Sequence, residues 1–231
     1  MKIGLLGDIH GNYLALKSVL DSACKLKVEK LLITGDLIGY YFYPLKVIEL
    51  LDKWDKSIVQ GNHEQMLSIA RNNNSYLNEI DSIYGSGIRI AIDQLSSCQL
   101  DELSHLPHPL KLNIEGVEIL LCHGSPWDLN EYIYPDLSSK TIQKLLLYPY
   151  NLIITGHTHY PMLKKFDGIN IVNPGSVGQP RNGQKGAQWA LFDTADGSIN
   201  FFLEKYDSTG LAIECKLRHP EIPYLSDVLN R

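Results

Sequence analysis

The stretch NLIITGHTHY, residues 151–160, joins an apolar run to a glycine and then to two histidines separated by one threonine. Leu152, Ile153 and Ile154, closed by Gly156, read as a short strand buried on both faces. Its C-terminal end delivers His157 and His159 to one spot. In open α/β sheets that is the end where ligands bind. The stretch is decisive only if other strands of the same kind end in residues of the same chemistry.

They do. KIGLLG (2–7), EKLLITG (29–35), KSIVQG (56–61) and VEILLC (117–122) are further short apolar runs of the buried kind. Between the first two, NYLALKSVLDSACKLK (12–27) places Leu16, Val19, Leu20 and Ala23 on one helical face. YPLKVIELLDKW (43–54) predicts the next helix, with Pro44 near its start. The first half is therefore β-α-β-α-β, which implies parallel strands joined by right-handed crossovers. Later segments change character. LKLNIEGVEILL turns at Glu115-Gly116, MLKKFDGINIV at Asp167-Gly168, and WALFDTADGSINFFLEKY near Asp196-Gly197, all hairpin signals. The expected class is mixed α/β: two β-sheets, partly parallel and partly antiparallel, packed as a sandwich with helices on both outer faces. One domain over residues 1–231 is expected. Segments 64–105 and 125–150 read as mostly helical and are expected to roof a cleft.

The strand ends carry a polar constellation. The first reaches Asp8 and His10, the second Asp36, the third Asn62, His63 and Glu64, the fourth His123, and the fifth His157 and His159. Two aspartates, one asparagine and histidines 10, 123, 157 and 159 make seven N/O ligands. That is too many for one tetrahedral site and suits two ions sharing a carboxylate. Asp36, on the central strand of the β-α-β-α-β unit, is the natural bridge. Glycines 7, 35, 61 and 156 stand before the key ligands, where they let the backbone turn sharply and other groups approach. Two divalent ions bring four positive charges, and two aspartates with a bridging hydroxide remove three. The positive remainder attracts a phosphate and steadies charge on its oxygens. Ions about 3.5–4 Å apart can hold a nucleophile for in-line displacement at phosphorus. His63, beside a ligand yet not needed as one, is the candidate that assists the leaving oxygen.

Composition agrees with a small-molecule enzyme. The chain has 231 residues, 44% hydrophobic and 20% charged, with a net charge of −5. This is ordinary globular composition. Lys and Arg are scattered and no basic tract stands out, so binding to long nucleic acid is not expected. The four cysteines, at 24, 98, 122 and 215, form no Cys-x-x-Cys pair and read as free thiols of a reducing compartment. The N-terminal apolar run is too short for a signal-peptide core, and no run approaches membrane-spanning length. A cytoplasmic location is expected, with a small phosphorylated substrate, a nucleotide among the candidates, and no membrane partner. The oligomeric state is not legible.

Together GDIHG (7–11), GD (35–36), GNHE (61–64), HG (123–124) and GHTH (156–159), in this order, resemble the calcineurin-like metallophosphoesterase superfamily. NPGSVGQPR (173–181) adds a likeness to its small phosphodiesterase-like branch in bacteria and archaea. The resemblance implies a sandwich of two mixed sheets with outer helices. It implies one ion on Asp8, His10, Asp36 and His159, a second on Asp36, Asn62, His123 and His157, and His63 at the leaving group. Mn²⁺ or Fe is expected because imidazole suits softer ions, with Zn²⁺, Ni²⁺ and Mg²⁺ as alternatives. Direct attack by hydroxide on a phosphodiester or nucleotide phosphate follows. A dinucleoside polyphosphate hydrolase is the enzymatic alternative, and a non-catalytic scaffold, as in the retromer subunit of this fold, the alternative of another class. GDLIGYYFYP (35–44) departs from the pattern of the protein phosphatases and the symmetrical tetraphosphate hydrolases, having neither their acid nor their arginine. Tyr40, Tyr41 and Tyr43 stand there, to stack on an aromatic group of the substrate or to pack as a loop. Arg181 and Asn12 are candidate phosphate contacts. Alternatively, Arg181 is a solvated loop residue and Asn12 the cap of the first helix.

Overall fold

The computed structural model describes residues 1–166 and 168–230. The chain opens with β1 (Lys2–Leu6), α1 (Tyr13–Lys25), β2 (Lys30–Ile33), α2 (Pro44–Leu51) and β3 (Lys56–Ile58). Four helices follow: α3 (Asn62–Ala70), α4 (Asn74–Tyr84), α5 (Gly87–Gln94) and α6 (Ser97–Ser104). Then come β4 (Leu110–Ile114), β5 (Val117–Leu121), α7 (Ser139–Leu145), β6 (Leu152–Ile154), β7 (Met162–Phe166) and β8 (Ile169–Asn173). The chain closes with β9 (Ala187–Asp193), β10 (Ser198–Glu204), α8 (Thr209–Arg218) and α9 (Tyr224–Asp227), followed by a single 3-10 turn.

Two five-stranded mixed sheets result, ordered β10-β9-β1-β2-β3 and β4-β5-β6-β8-β7. Strands β1, β2 and β3 pair in parallel, as the β-α-β-α-β reading requires. The three hairpins pair antiparallel as β4-β5, β7-β8 and β9-β10. Asp167, half of one hairpin signal, lies outside the described residues, while Phe166 and Ile169 pair across it.

Period-2 alternation builds the layers. Ile3, Leu5, Ile119, Leu121, Leu152, Ile154, Val172, Ala190 and Phe192 point between the sheets. The opposite faces carry Leu31, Ile33, Trp189 and Leu191 on the first sheet, which meet the helices, and Leu120, Ile153 and Ile171 on the second. On α1, Leu16, Val19, Leu20 and Ala23 are buried, the face that the spacing predicts. Cys122 is buried in the outer layer of the second sheet.

Two expectations need correction, and two helices stand outside any expectation. Segment 125–150 is not mostly helical: it holds one seven-residue helix, α7. Pro126, Pro135, Asp128, Asn130 and Asp136 favour turns and break the helical period. The outer face of the second sheet is therefore covered by α7 and an irregular loop, with Trp127, Ile133, Leu137 and Leu145 packed on it. Strand β3 is half-buried rather than buried on both faces, because it is an edge strand. The C-terminal helices α8 and α9 stand on no sequence expectation; they cover the aromatic loop, packing Leu211, Ala212, Cys215 and Leu225 on Tyr40, Tyr41 and Phe42. All four cysteines are free, and no helix among the described residues is long and apolar enough to cross a membrane.

Candidate metal centre

The ends of β1, β2 and β6 bend sharply where a polar side chain is needed. Asp8, His10 and Asp36 have φ of 53°, His157 64° and His159 62°, all left-handed. Such conformations cost roughly 1–3 kcal/mol each, and they cluster where surrounding structure holds them. Here the holding bonds are explicit. The amides of Ile9 and His10 donate to the Asp36 carbonyl at 2.8 and 2.9 Å. Ser176 Oγ and the Gly178 amide donate to the Asp8 carbonyl at 2.7 and 3.0 Å. Asn173 Nδ2 donates to the Gly156 carbonyl and to Thr158 Oγ1, fixing the loop of the two histidines. The strain thus sits on the ligands themselves. Of the four glycines before them only Gly35 is left-handed, with φ of 92°. Gly61 serves by close approach, since a Cβ there would overlap Asp36 Oδ1.

The seven candidate ligands converge. Asp8, His10 and His159 form one cluster, and Asp36, His123 and His157 a second, each with ligand atoms mutually within 4.8 Å. Asp36 Oδ2 stands 3.7 Å from His10 Nε2 and 3.5 Å from His123 Nε2, between the two. Asn62 Oδ1 lies 2.9 Å from His123 Nε2. His63 also falls within 4.8 Å of His10 and Asp36 ligand atoms, closer than its expected supporting role requires.

Hydrogen bonds fix the ring tautomers. His10 Nδ1 faces the Ile38 carbonyl at 3.2 Å, His123 Nδ1 the Thr34 carbonyl at 2.7 Å, and His159 Nδ1 the Gln179 carbonyl at 2.7 Å. A carbonyl only accepts, so each Nδ1 donates and each neutral ring turns an Nε2 lone pair inward. His10 Nε2 then opposes His159 Nε2 at 3.1 Å, and His123 Nε2 opposes His157 Nδ1 at 3.1 Å. Asp8 Oδ2 is buried with no hydrogen-bond partner. His10 Nε2 and His159 Nε2, acceptor against acceptor in a buried pocket, repel until a cation lies between them. Donor types and orientation therefore fit divalent ions.

Burial sets the protonation. It holds His10, His123 and His159 well below the usual imidazole range, His157 at about 4 and His63 at about 3. It pushes the carboxyls of Asp8 and Asp36 up. Both directions disfavour charge in a dry site and leave the imidazoles as neutral ligands.

Glu64 is fully buried. Its Oε2 accepts from the amides of Asp36 (2.8 Å) and Gly61 (2.9 Å), and its Oε1 from those of Leu37 (2.8 Å) and Ile38 (3.4 Å). The carboxylate thereby ties the start of α3 to the loop that carries Asp36. His63 follows Asn62 on α3, and its amide donates to Asp36 Oδ1 at 2.9 Å. Its ring lies against His10, Tyr40 and Tyr84 with centroids 4.8–5.3 Å apart. Its Nδ1 is buried without a hydrogen-bond partner, consistent with the missing acid in the 35–44 loop.

A small cavity opens over the cluster, lined by Asp36, Asn62, His63, His157 and His159 and walled by Tyr40, Tyr84, Tyr132 and Arg181. The roofing segments contribute Tyr84 from α4 and Tyr132 from the 125–138 loop, whose ring stacks on His157 at 4.1 Å. Tyr40 lines the cavity, whereas Tyr41 is fully buried beneath the C-terminal helices. Arg181 reaches the cavity and donates to the Tyr40 hydroxyl at 3.2 Å. Asn12 does not face it. Its Oδ1 caps α1 through the Ala15 amide, and its Nδ2 donates to Gly178 O and the Tyr206 hydroxyl, so neither polar atom is left for a phosphate. Tyr84 and Tyr132 carry no sequence signal as site residues, whereas Glu64 stands in GNHE and Asn173 and Ser176 in NPGSVGQPR without a supporting role assigned to them there.

The profile of the calcineurin-like phosphoesterase superfamily domain matches residues 1–197. The uncharacterized protein MJ0912 of Methanocaldococcus jannaschii is 28% identical over 222 residues, spanning 89% of this chain and 88% of its own. The crystal structure of hypothetical protein PH1004 from Pyrococcus horikoshii OT3 superposes with a TM-score of 0.86 at 23% identity, covering 99% of this chain and 97% of that one. A metallophosphoesterase from Sphaerobacter thermophilus superposes with a TM-score of 0.77 at 24% identity, covering 100% and 98%.

Proposed function

The chain belongs to the calcineurin-like phosphoesterase superfamily, and from that membership we propose that it hydrolyses a phosphodiester or a nucleotide phosphate with two divalent ions. The supporting observation is the inward convergence of lone pairs on His10, His159, His123, His157 and Asn62 around Asp36 Oδ2. Asp8, His10, Asp36 and His159 would hold one ion, and Asp36, Asn62, His123 and His157 the other. Bound ions supply Lewis-acid polarisation of phosphoryl oxygens and make hydroxide available near neutral pH. The histidine-rich set favours Mn²⁺ or Fe over Mg²⁺.

The chain's own groups do the rest. The strained loops keep the ligands at fixed positions before substrate arrives, so little reorganisation remains for the reaction. Tyr40, Tyr84 and Tyr132 narrow the mouth and restrict water. In hydrolysis a water oxygen bonds to phosphorus, the ester P–O bond breaks, and the departing oxygen takes a proton. His63 is the nearby donor. Its neutral ring gains proton affinity when an anionic phosphoryl group enters.

A panel of phosphomonoesters, phosphodiesters, cyclic nucleotides and dinucleoside polyphosphates, assayed with Mn²⁺ and with a chelator, tests the proposal. Turnover that the chelator abolishes and Mn²⁺ restores is expected on at least one class. A protein that binds two ions per chain yet turns over none of them is a scaffold, and the proposal fails.

A further inference from the structure

Arg181 is half-buried at the wall of the cleft. Its Nε is buried and meets no hydrogen-bond partner. Among the described residues its guanidinium forms no ion pair with a carboxylate; Nη2 donates to the Tyr40 hydroxyl and to Gln179 Oε1, both at 3.2 Å, and the guanidinium also bonds the Tyr224 side chain. Gln179 Oε1 in turn accepts from the Tyr224 hydroxyl on α9 at 3.4 Å, so the C-terminal helix braces the group. A half-buried guanidinium with no carboxylate partner keeps donor capacity that an anion in the cleft completes. Tyr40 shows the matching feature. It is 7% exposed and holds φ of 51°, a left-handed conformation unfavourable for a bulky residue. That strain seats its hydroxyl beside Arg181, and its ring edge-on against His10 with centroids 4.6 Å apart. The hydroxyl accepts from Arg181, which leaves its own proton for a ligand. Both groups line the same cavity as the ligand cluster.

We infer that Arg181 and Tyr40 form a paired oxyanion reader for a terminal phosphoryl group, and that the preferred substrate is a phosphomonoester dianion rather than a diester. This rests on the phosphoesterase reading of the same cavity. A guanidinium fork and a phenol O–H both match a charged, unsubstituted oxygen. A monoester presents such an oxygen there, being a dianion above its second pKa of about 6. A diester carries one charge fewer and can set its second carbon substituent against the cation. That contact desolvates the guanidinium without completing it.

The test has two arms. In the first, calorimetry measures inorganic phosphate binding above pH 7.5, an arbitrary point roughly 1.5 units over that second pKa, to the Mn²⁺-loaded protein and its variants. Arg181→Gln should weaken binding by about 10- to 100-fold, the worth of lost charge-assisted hydrogen bonds. Arg181→Lys should recover part of the loss, and Tyr40→Phe should weaken binding with metal content unchanged. In the second, p-nitrophenyl phosphate is compared with methyl p-nitrophenyl phosphate, which share a leaving group. Wild type should favour the monoester in kcat/KM, and Arg181→Gln should shrink that preference by about tenfold or more. Unchanged phosphate affinity in Arg181→Gln, or equal losses on the two esters, overturns the inference. If wild type hydrolyses neither ester and no other member of the substrate panel, the phosphoesterase reading fails, while the phosphate arm still decides whether the pair reads an oxyanion.

Discussion

His10 Nε2 and His159 Nε2 face each other at 3.1 Å, each with its Nδ1 given to a backbone carbonyl. Two lone pairs at that distance oppose folding unless a cation joins them. Metal should therefore act as a large stabiliser of the native state. A site holding its ion at 100 times the dissociation constant adds about 2.7 kcal/mol. For a chain of this size each kcal/mol moves Tm by roughly 2–4 °C. Chelator treatment should lower Tm by roughly 5–11 °C for each strong site emptied, and Mn²⁺ should restore it. Elemental analysis should return two ions per chain. An unmoved Tm together with no bound metal would refute the centre.

Asp36→Asn probes the shared ligand. The carboxylate Oδ2 lies 3.7 and 3.5 Å from a nitrogen of each cluster, while Oδ1 accepts from the His63 amide. Asparagine removes the charge between the clusters at nearly constant shape. Metal content should fall to one ion per chain or fewer, and turnover should drop by about three orders of magnitude or more, the scale of a lost charge-stabilising group. Retention of two ions would show that the clusters bind independently of Asp36.

His63→Ala separates chemistry from binding. The ring touches His10, Tyr40 and Tyr84 and has no bond to any ligand side chain. Metal content should stay at the wild-type value. On an alkyl ester kcat should fall by about 10²–10⁴-fold, the usual worth of a placed proton donor. With p-nitrophenol, a far better leaving group, the loss should be much smaller. A parallel fall in metal content would recast His63 as a ligand, a role its closeness to His10 and Asp36 permits sterically.

Where sequence and structure agree, and where they part, has a physical pattern. Strands β1, β2, β5 and β6 were legible because burial on both faces leaves a dense apolar run, and the residue after each run was legible as chemistry. The exception at β3 is an edge strand, whose burial depends on a sheet order that no local pattern encodes. The 125–138 loop departs from the helical expectation for 125–150 because Ile133 and Trp127 are apolar for a reason other than helical packing. They peg an irregular segment onto the second sheet. The role of Arg181 was not decidable locally, since its partners Tyr40 and Tyr224 lie 141 and 43 residues away. Asn12 was a choice between cap and ligand, and the short-range bond to Ala15 took it.

Glu64 offers the sharpest test of how the site is held. Its carboxylate accepts four backbone N–H groups, from Asp36, Leu37, Ile38 and Gly61, with no water contact. Glutamine is close to isosteric, but it keeps one acceptor oxygen and turns an amide donor toward amide donors. At least two of the bonds must go, and the abandoned N–H groups stay buried. With charged acceptors worth about 1.5–3 kcal/mol each, Glu64→Gln should cost about 3 kcal/mol or more. That corresponds to a Tm lower by roughly 6–12 °C. The same amides define where Asp36 stands, so metal affinity should fall with stability even though Glu64 touches no ligand side chain. Denaturant unfolding of the chelator-treated protein isolates the first effect, and metal titration of the folded variant the second. A variant with wild-type stability and affinity would mean that the Asp36 loop is held without Glu64, by its bonds to the amides of Ile9, His10, Gly11 and His63.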